Sequence, residues 1–187
     1  MLRDSRLMPR QPRDKAAGLF HVFTRCVWAA PEHFRDDVDR MDFVRRLARL
    51  THQPDWTCVA FCLMRSHYHL IVAVGDGVLP IAMHRLNLGY VRGFNRRHSL
   101  RGRGQSHPYG SRRIRDDVDL LDTFAYIALN PVEAGLCRAP SDWQWSSYRG
   151  TVGRRTQHSF VDDAWLLRSL SAAGDPRRAL QAHVEKM

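Results

Sequence analysis

Met64-Arg65-Ser66-His67-Tyr68-His69-Leu70-Ile71-Val72 follows the apolar run Val59-Ala60-Phe61-Cys62-Leu63 and continues into Ala73-Val74-Gly75. The two runs read as paired strands over residues 56–63 and 67–74, joined by a hairpin-like connection. Side chains alternate across a strand, so His67 and His69 share one face and Tyr68 points to the other. Two imidazoles side by side on a rigid element make half of a divalent-cation site. Taken alone, such a pair is more often two half-exposed polar residues at a strand start. The missing ligand and a nucleophile must come from elsewhere in the chain.

Working outward, residues 19–28 are rich in Phe, Val and Thr and read as a first strand. Asp36 and Asp37 start a helix over residues 37–52, which Pro54-Asp55 breaks. A second helical pattern covers residues 79–97, with Ile81, Leu86, Leu88, Val91 and Phe94 as its core positions. The segment that follows, to residue 115, is crowded with Arg, Gly and Ser and reads as a loop too polar to pack. Asp116-Asp117 opens a third helix, where acids match the helix dipole. Val118, Leu121, Ala125 and Ala128 form one apolar row on it, and Leu120, Phe124 and Ile127 a second. Asn130-Pro131 ends it, since a residue before proline is pushed out of the α region.

This order of elements predicts an α+β fold, an antiparallel sheet flanked by helices. Residues 1–16 read as a basic N-terminal arm and residues 17–152 as the main domain, closed by Trp143-Gln144-Trp145-Ser146-Ser147-Tyr148. Residues 153–187 read as a short helical C-terminal extension split by Gly174-Asp175-Pro176.

The chain has 187 residues, 44% of them hydrophobic and 26% charged, a globular balance. Its net charge of +10 points to a polyanionic partner. Only two of the 29 basic residues are lysines, Lys15 and Lys186. Arg85, Arg92 and Arg96 recur on one face of the second helix and run into Arg97, Arg112 and Arg113. With Arg10 and Arg13 of the arm and Arg25 of the first strand, they form the expected set of phosphate contacts. Cys26, Cys58, Cys62 and Cys137 lack the spacing of a disulfide framework and read as reduced, mostly buried thiols. No apolar run approaches the roughly 20 residues that span a bilayer, and no signal peptide is recognisable. A cytoplasmic, nucleoid-associated protein is expected.

Tyr126 and Asn130 are four apart on the third helix and so share a face, one turn apart. A phenol, with a pKa of about 10, is a poor nucleophile unless it or its target is activated. A cation held by His67 and His69 can activate the target by polarising a phosphodiester. The Asn130 carboxamide oxygen can complete three protein ligands, a mixed N and O set that suits Mg²⁺ or Mn²⁺. A structural zinc site from Cys58, Cys62, His67 and His69 is the competing arrangement. Cys58 and Cys62 both stand at even positions of their strand, on one face, but about 13 Å apart, too far for bonds near ~2.3 Å to one ion.

At these residues the chain resembles the IS200-like transposases of the HUH, single-tyrosine class, and within it the REP-associated tyrosine transposases. The resemblance covers roughly residues 8 to 150. It rests on Met8-Pro9-Arg10, His21-Val22-Phe23-Thr24-Arg25, the 64–70 stretch, Phe94-Asn95-Arg96-Arg97, the 126–136 stretch beginning Tyr126-Ile127-Ala128-Leu129-Asn130-Pro131, and Trp145-Ser146-Ser147-Tyr148. It implies a ferredoxin-like HUH fold and a single-stranded DNA endonuclease and strand transferase acting on hairpin or repeat DNA. His67 and His69 would match the family's metal pair, Asn130 its third ligand, and Tyr126 the nucleophile that forms a 5′-phosphotyrosine. The enzyme would be a monomer or a homodimer, with the tyrosine helix serving its own histidines or a partner's. A non-catalytic, domesticated nucleic-acid-binding protein of the same fold is the alternative.

Overall fold

The computed structural model describes residues 16–24, 32–100, 109–153, 158–172 and 174–187. The elements run β1 (Gly18–Thr24), α1 (Asp37–Leu50), β2 (Trp56–Leu63), β3 (Tyr68–Val74), α2 (Val78–Arg97), β4 (Tyr109–Arg113) and α3 (Asp117–Glu133). A 3₁₀ turn over Pro140–Asp142 and three shorter helices follow: α4 (Tyr148–Thr151), α5 (Ala164–Arg168) and α6 (Pro176–Glu185). The strands form one sheet in the order β2-β3-β1-β4, and every neighbouring pair is antiparallel. With its helices this is the α+β architecture expected from the element order.

Alternation along the strands builds two cores. Phe20, Val22, Tyr68, Leu70 and Val72 pack with Phe43 and Leu47 of α1 and Met83, Leu86 and Tyr90 of α2. On the other face Cys62 and Ile71 pack with Leu121, Phe124 and Ala128 of α3. Leu166 of α5 and Leu180 and Val184 of α6 belong to the same core, so the C-terminal helices are bedded on α3. Asp36 and Asp116 cap α1 and α3, each side chain accepting from a backbone N–H three residues on, those of Asp39 and Asp119.

Four expectations need correction. The polar segment before α3 contains β4, which pairs with β1 from Phe20↔Arg113 to Thr24↔Tyr109. Ladder hydrogen bonds do not depend on side-chain polarity, and buried Tyr109 and Ile114 pin the strand at both ends. Cys58 and Cys62 lie on opposite faces, in different cores, because an irregularity between Cys58 and Ala60 shifts the register by one residue.

The third helix passes through Pro131 and ends at Glu133. Pro131 forgoes only its own bond to the carbonyl four residues back, and the helix ends two residues later. Leu136 N–H donates to Pro131 O and Gly135 N–H to Val132 O, and Gly135 supplies the left-handed turn with φ 67°. Finally, Ile81, Leu88 and Val118 are exposed. The buried face of α2 is Leu79, Ala82, Met83, Leu86 and Tyr90.

The outer edge of β2 is covered rather than open. Leu63 N–H donates to Trp145 O, Ser147 N–H to Phe61 O, and Asp162 N–H to Cys58 O. The Trp-Ser-Ser-Tyr segment and the chain at Val161-Asp162 therefore close a sheet edge that would otherwise invite pairing with another chain. No helix among the described residues is long and apolar enough to cross a membrane.

Candidate metal and nucleophile site

β3 presents His69 to the α3 side of the sheet, and His67 stands in the turn just before the strand. The two rings lie 4.9 Å apart at 88°. Register places Phe23 opposite His69 and Ile71 opposite His21, so His21 is the diagonal neighbour of His69 on the same face. Their rings stack 5.2 Å apart, and His21 Nε2 lies 3.0 Å from His69 Nδ1. Phe23 sits beside both, at 5.2 Å from His21 and 6.4 Å from His69. Gly110 of β4 makes room for it, since a Cβ there would fall 2.7 Å from the Phe23 ring.

α3 lies across this face and brings Tyr126 down on the histidines. The Tyr126 ring is 5.6 Å from His69 and 6.2 Å from His21, edge-on to both. Tyr126 is still 44% exposed. Asn130, one turn on, donates from Nδ2 to Tyr126 O at 2.8 Å, and its side chain is near enough to act on the His67 imidazole. The structure thus gathers His67, His69, Tyr126 and Asn130 into one constellation.

The electrostatics keep the imidazoles neutral. Burial and the neighbouring His21 and His67 hold His69 well below the usual histidine range. Burial lowers His21 as well, helped by Arg112, which Asp119 only partly offsets. Burial also lowers His67, and the Asn130 side chain opposes this only in part. Neutral imidazole is the ligating form. The buried Nε2 of His69 has no hydrogen-bond partner, so the donor set of two histidines and a carboxamide fits a divalent cation on an observation of its own.

A second group of donors lies at the far end of α2. Asp36, Asp39 and His98 bring their ligand atoms within 4.8 Å of one another, a set consistent with a divalent cation. Arg97 donates to both carboxylates, and His98 Nε2 meets Asp39 at 2.9 Å.

The expected phosphate contacts are placed unequally. Arg10, Arg13 and Arg25 lie outside the described residues. Arg92 and Arg96 are exposed on α2, and exposed Arg85 reaches Gln53 at 3.3 Å. Arg97 is tied to its aspartates. Arg112 is held by Asp119 at 2.7 Å and Thr123 at 2.7 Å. Arg113 donates to the Ala17 carbonyl and lies over the Phe20 ring. His21 is the site residue that reading the sequence misses. Its signal is positional: it has the parity that faces α3, but recognising this requires the β1–β3 register.

Comparison with known proteins gives two likenesses. The chain is 31% identical over 112 residues to a Haemophilus influenzae protein assigned as a REP-associated tyrosine transposase. The match covers 54% of this chain and 63% of that protein, so the chain spans less than two thirds of its relative's length. A solved REP-associated tyrosine transposase bound to a REP hairpin superposes with a TM-score of 0.63 at 18% identity, covering 83% of this chain and 93% of that one.

Both likenesses are to REP-associated tyrosine transposases.

At such identity the structural likeness carries the fold, and the four-stranded antiparallel sheet with flanking helices is that fold. No family model matches the chain. The two likenesses to REP-associated tyrosine transposases agree with the resemblance carried by the motifs.

Proposed function

We propose that this chain is a REP-associated tyrosine transposase that cuts and rejoins single-stranded DNA at hairpin repeats, with Tyr126 as nucleophile. The observation that carries the reading is the placement of Tyr126, exposed and edge-on, 5.6 Å from a buried histidine whose Nε2 lacks a partner. The hairpin bound by the structural neighbour is the DNA class that fits, and the net charge of +10 supports a nucleic-acid partner.

In this mechanism Tyr126 Oη attacks the phosphorus of the scissile phosphodiester. The Oη–P bond forms as the bond from phosphorus to the 3′-oxygen breaks; the phenol gives up its proton and the released 3′-oxygen takes one up. A 5′-phosphotyrosine and a free 3′-hydroxyl result. One ester bond replaces another, so attack by a 3′-hydroxyl reverses the step without ATP. His67, His69 and Asn130 would hold Mg²⁺ or Mn²⁺, which supplies polarisation of the non-bridging phosphate oxygens. Asn130 also ties its own side chain to the Tyr126 carbonyl, keeping ligand and nucleophile on one rigid turn.

Arg92 and Arg96 supply phosphate contacts. α2 runs back along β3 and meets it where Tyr68 Oη donates to Asn87. Residues 88–97 therefore project toward the connection that carries His67. A DNA-processing role would fit a cytoplasmic protein working at the nucleoid.

The test is incubation with single-stranded hairpins from repeats flanking its own gene, with Mn²⁺ or Mg²⁺, followed by a denaturing gel. Wild type is expected to give a covalent adduct that disappears in Tyr126→Phe, while hairpin binding persists. Binding without an adduct on any flanking hairpin overturns the catalytic reading and leaves the non-catalytic binding protein.

A further inference from the structure

Two buried polar rings meet in this site although only one belongs to the expected ligand set. His21 is 7% exposed and His69 5%. They come from different strands, and the sheet register fixes their diagonal contact. Two neutral imidazoles hydrogen-bond only when one donates and the other accepts. The 3.0 Å contact between His21 Nε2 and His69 Nδ1 therefore has two possible proton arrangements.

If His21 donates, the only remaining proton of His69 sits on Nε2, and that nitrogen has no lone pair for a cation. If His69 donates from Nδ1, Nε2 keeps its lone pair for a cation. That Nε2 is the atom left buried without a partner. Metal-bound histidines characteristically donate their second ring N–H to an acceptor that fixes tautomer and orientation, and here another imidazole stands where such an acceptor belongs.

We propose that His21 is a positioning residue: its Nε2 accepts the Nδ1–H of His69 and so holds His69 in the tautomer whose Nε2 can bind a divalent cation. His21 touches neither the cation nor the DNA. Its ring is in turn set by the strand pairing that places Arg112 directly opposite it on β4, with Arg112 anchored to Asp119 and Thr123. The inference rests on the proposed metal site, because it assigns a role toward a cation held by His67, His69 and Asn130.

The experiment is a Mn²⁺ titration of chelator-treated, DNA-free protein, read by the loss of free Mn²⁺ signal in electron paramagnetic resonance. It compares wild type, His21→Phe, His21→Gln and His69→Ala. His21→Phe keeps the bulk but removes the acceptor, and should weaken Mn²⁺ binding about 10- to 100-fold. His21→Gln places an amide oxygen near the Nε2 position, and should recover most of that loss. Circular dichroism and thermal melts confirm that each variant folds. The ¹⁵N shifts of His69 in the Mg²⁺-loaded protein should report a protonated Nδ1 in wild type.

Wild-type affinity in a folded His21→Phe protein overturns the inference alone, as does a protonated Nε2 on His69 with Mg²⁺ bound. Equal weakening in His21→Phe and His21→Gln also overturns it, since that is the mark of a merely packing role. Wild-type protein that binds no Mn²⁺, or binds it undiminished in His69→Ala, overturns the metal site itself and the inference with it.

Discussion

Two clusters in this molecule bring cation-binding groups together, and they differ in what already fills them. At the junction of α1 and α2, Asp39 is 2% exposed yet fully engaged. It accepts from the Arg35 backbone, from Arg97 and from His98. Asp36 caps α1 and pairs with Arg97. At the start of β3, His69 is as deeply buried, yet Nε2 has no partner. The first cluster contains its own cation, the Arg97 guanidinium. The second lacks one. A buried polar atom left unpaired costs on the order of 1–3 kcal/mol, and this one stands beside a second imidazole and the tyrosine ring. Proximity of ligand atoms is therefore a weaker guide to a metal centre than an unmet valence.

Metal binding should separate the two clusters most strongly. His69→Ala is expected to reduce Mn²⁺ affinity more than about 100-fold, since a direct ligand matters more than the partners behind it. Asp39→Asn should leave that affinity unchanged. The reverse result, in the same titration, would move the metal centre to the α1–α2 junction.

Stability should invert the order. Asp39→Ala strips the buried acceptor from Arg97, His98 and the Arg35 amide, and should cost about 3 kcal/mol, read from the urea midpoint at constant m. His69→Ala removes a side chain with one hydrogen bond and one orphan nitrogen, and should cost about 1 kcal/mol. A His69 variant that unfolds as readily as the Asp39 one would mean that the histidine cluster holds the sheet together.

One side of this contrast, the histidine site, is legible in the sequence. Strand alternation put His67 and His69 on one face, and helical spacing put Tyr126 and Asn130 on another that the fold brings over them. Both are local periodicities, set within a few residues. What stayed hidden depends on pairing between distant segments. β4 carries Gly110-Ser111-Arg112-Arg113, a composition with no strand signal, and forms because β1 offers a free edge. The fault in β2 that separates Cys58 from Cys62 is a register event that no alternation pattern reveals. His21 becomes meaningful only once β1 is aligned with β3. The Asp39–Arg97 pair spans 58 residues and could not be told from two solvated charges.

Acidification should separate the two clusters by pH window in the metal-free protein. His21 is lowered to about 4, chiefly by burial. Between the unfolded value of about 6.5 and that folded value, the unfolded chain takes up a proton that the native state refuses, so stability falls as pH drops. The loss should be about 1 kcal/mol per group between pH 7 and 5.5, and because His69 is lowered as well, His21→Phe should make that part of the curve shallower without flattening it. Asp36 is lowered to about 2 by its hydrogen bonds with Arg97. Its contribution is present above the unfolded value near ~3.8 and disappears as pH falls toward 2. Arg97→Gln should alter only this lower window. A single transition shifted alike by both variants would show that the clusters unfold as one electrostatic unit.

The smallest effects concern the arginines, where the same distinction between engaged and open groups applies. Arg97 and Arg112 spend their donors on Asp36, Asp39, Asp119 and Thr123, while Arg92 and Arg96 are exposed on α2. A phosphate competes for a tethered guanidinium only by displacing a carboxylate, but meets an untethered one at no such cost. Arg92→Ala and Arg96→Ala should each lower hairpin affinity a few-fold and reduce the salt dependence by about 0.7 in slope on a single-stranded segment. Arg112→Ala should leave that slope unchanged and instead free Asp119, with the effect seen in thermal stability. A larger change in slope for Arg112 than for Arg96 would mean that the DNA follows the β4 edge beside Tyr126 rather than the outer face of α2.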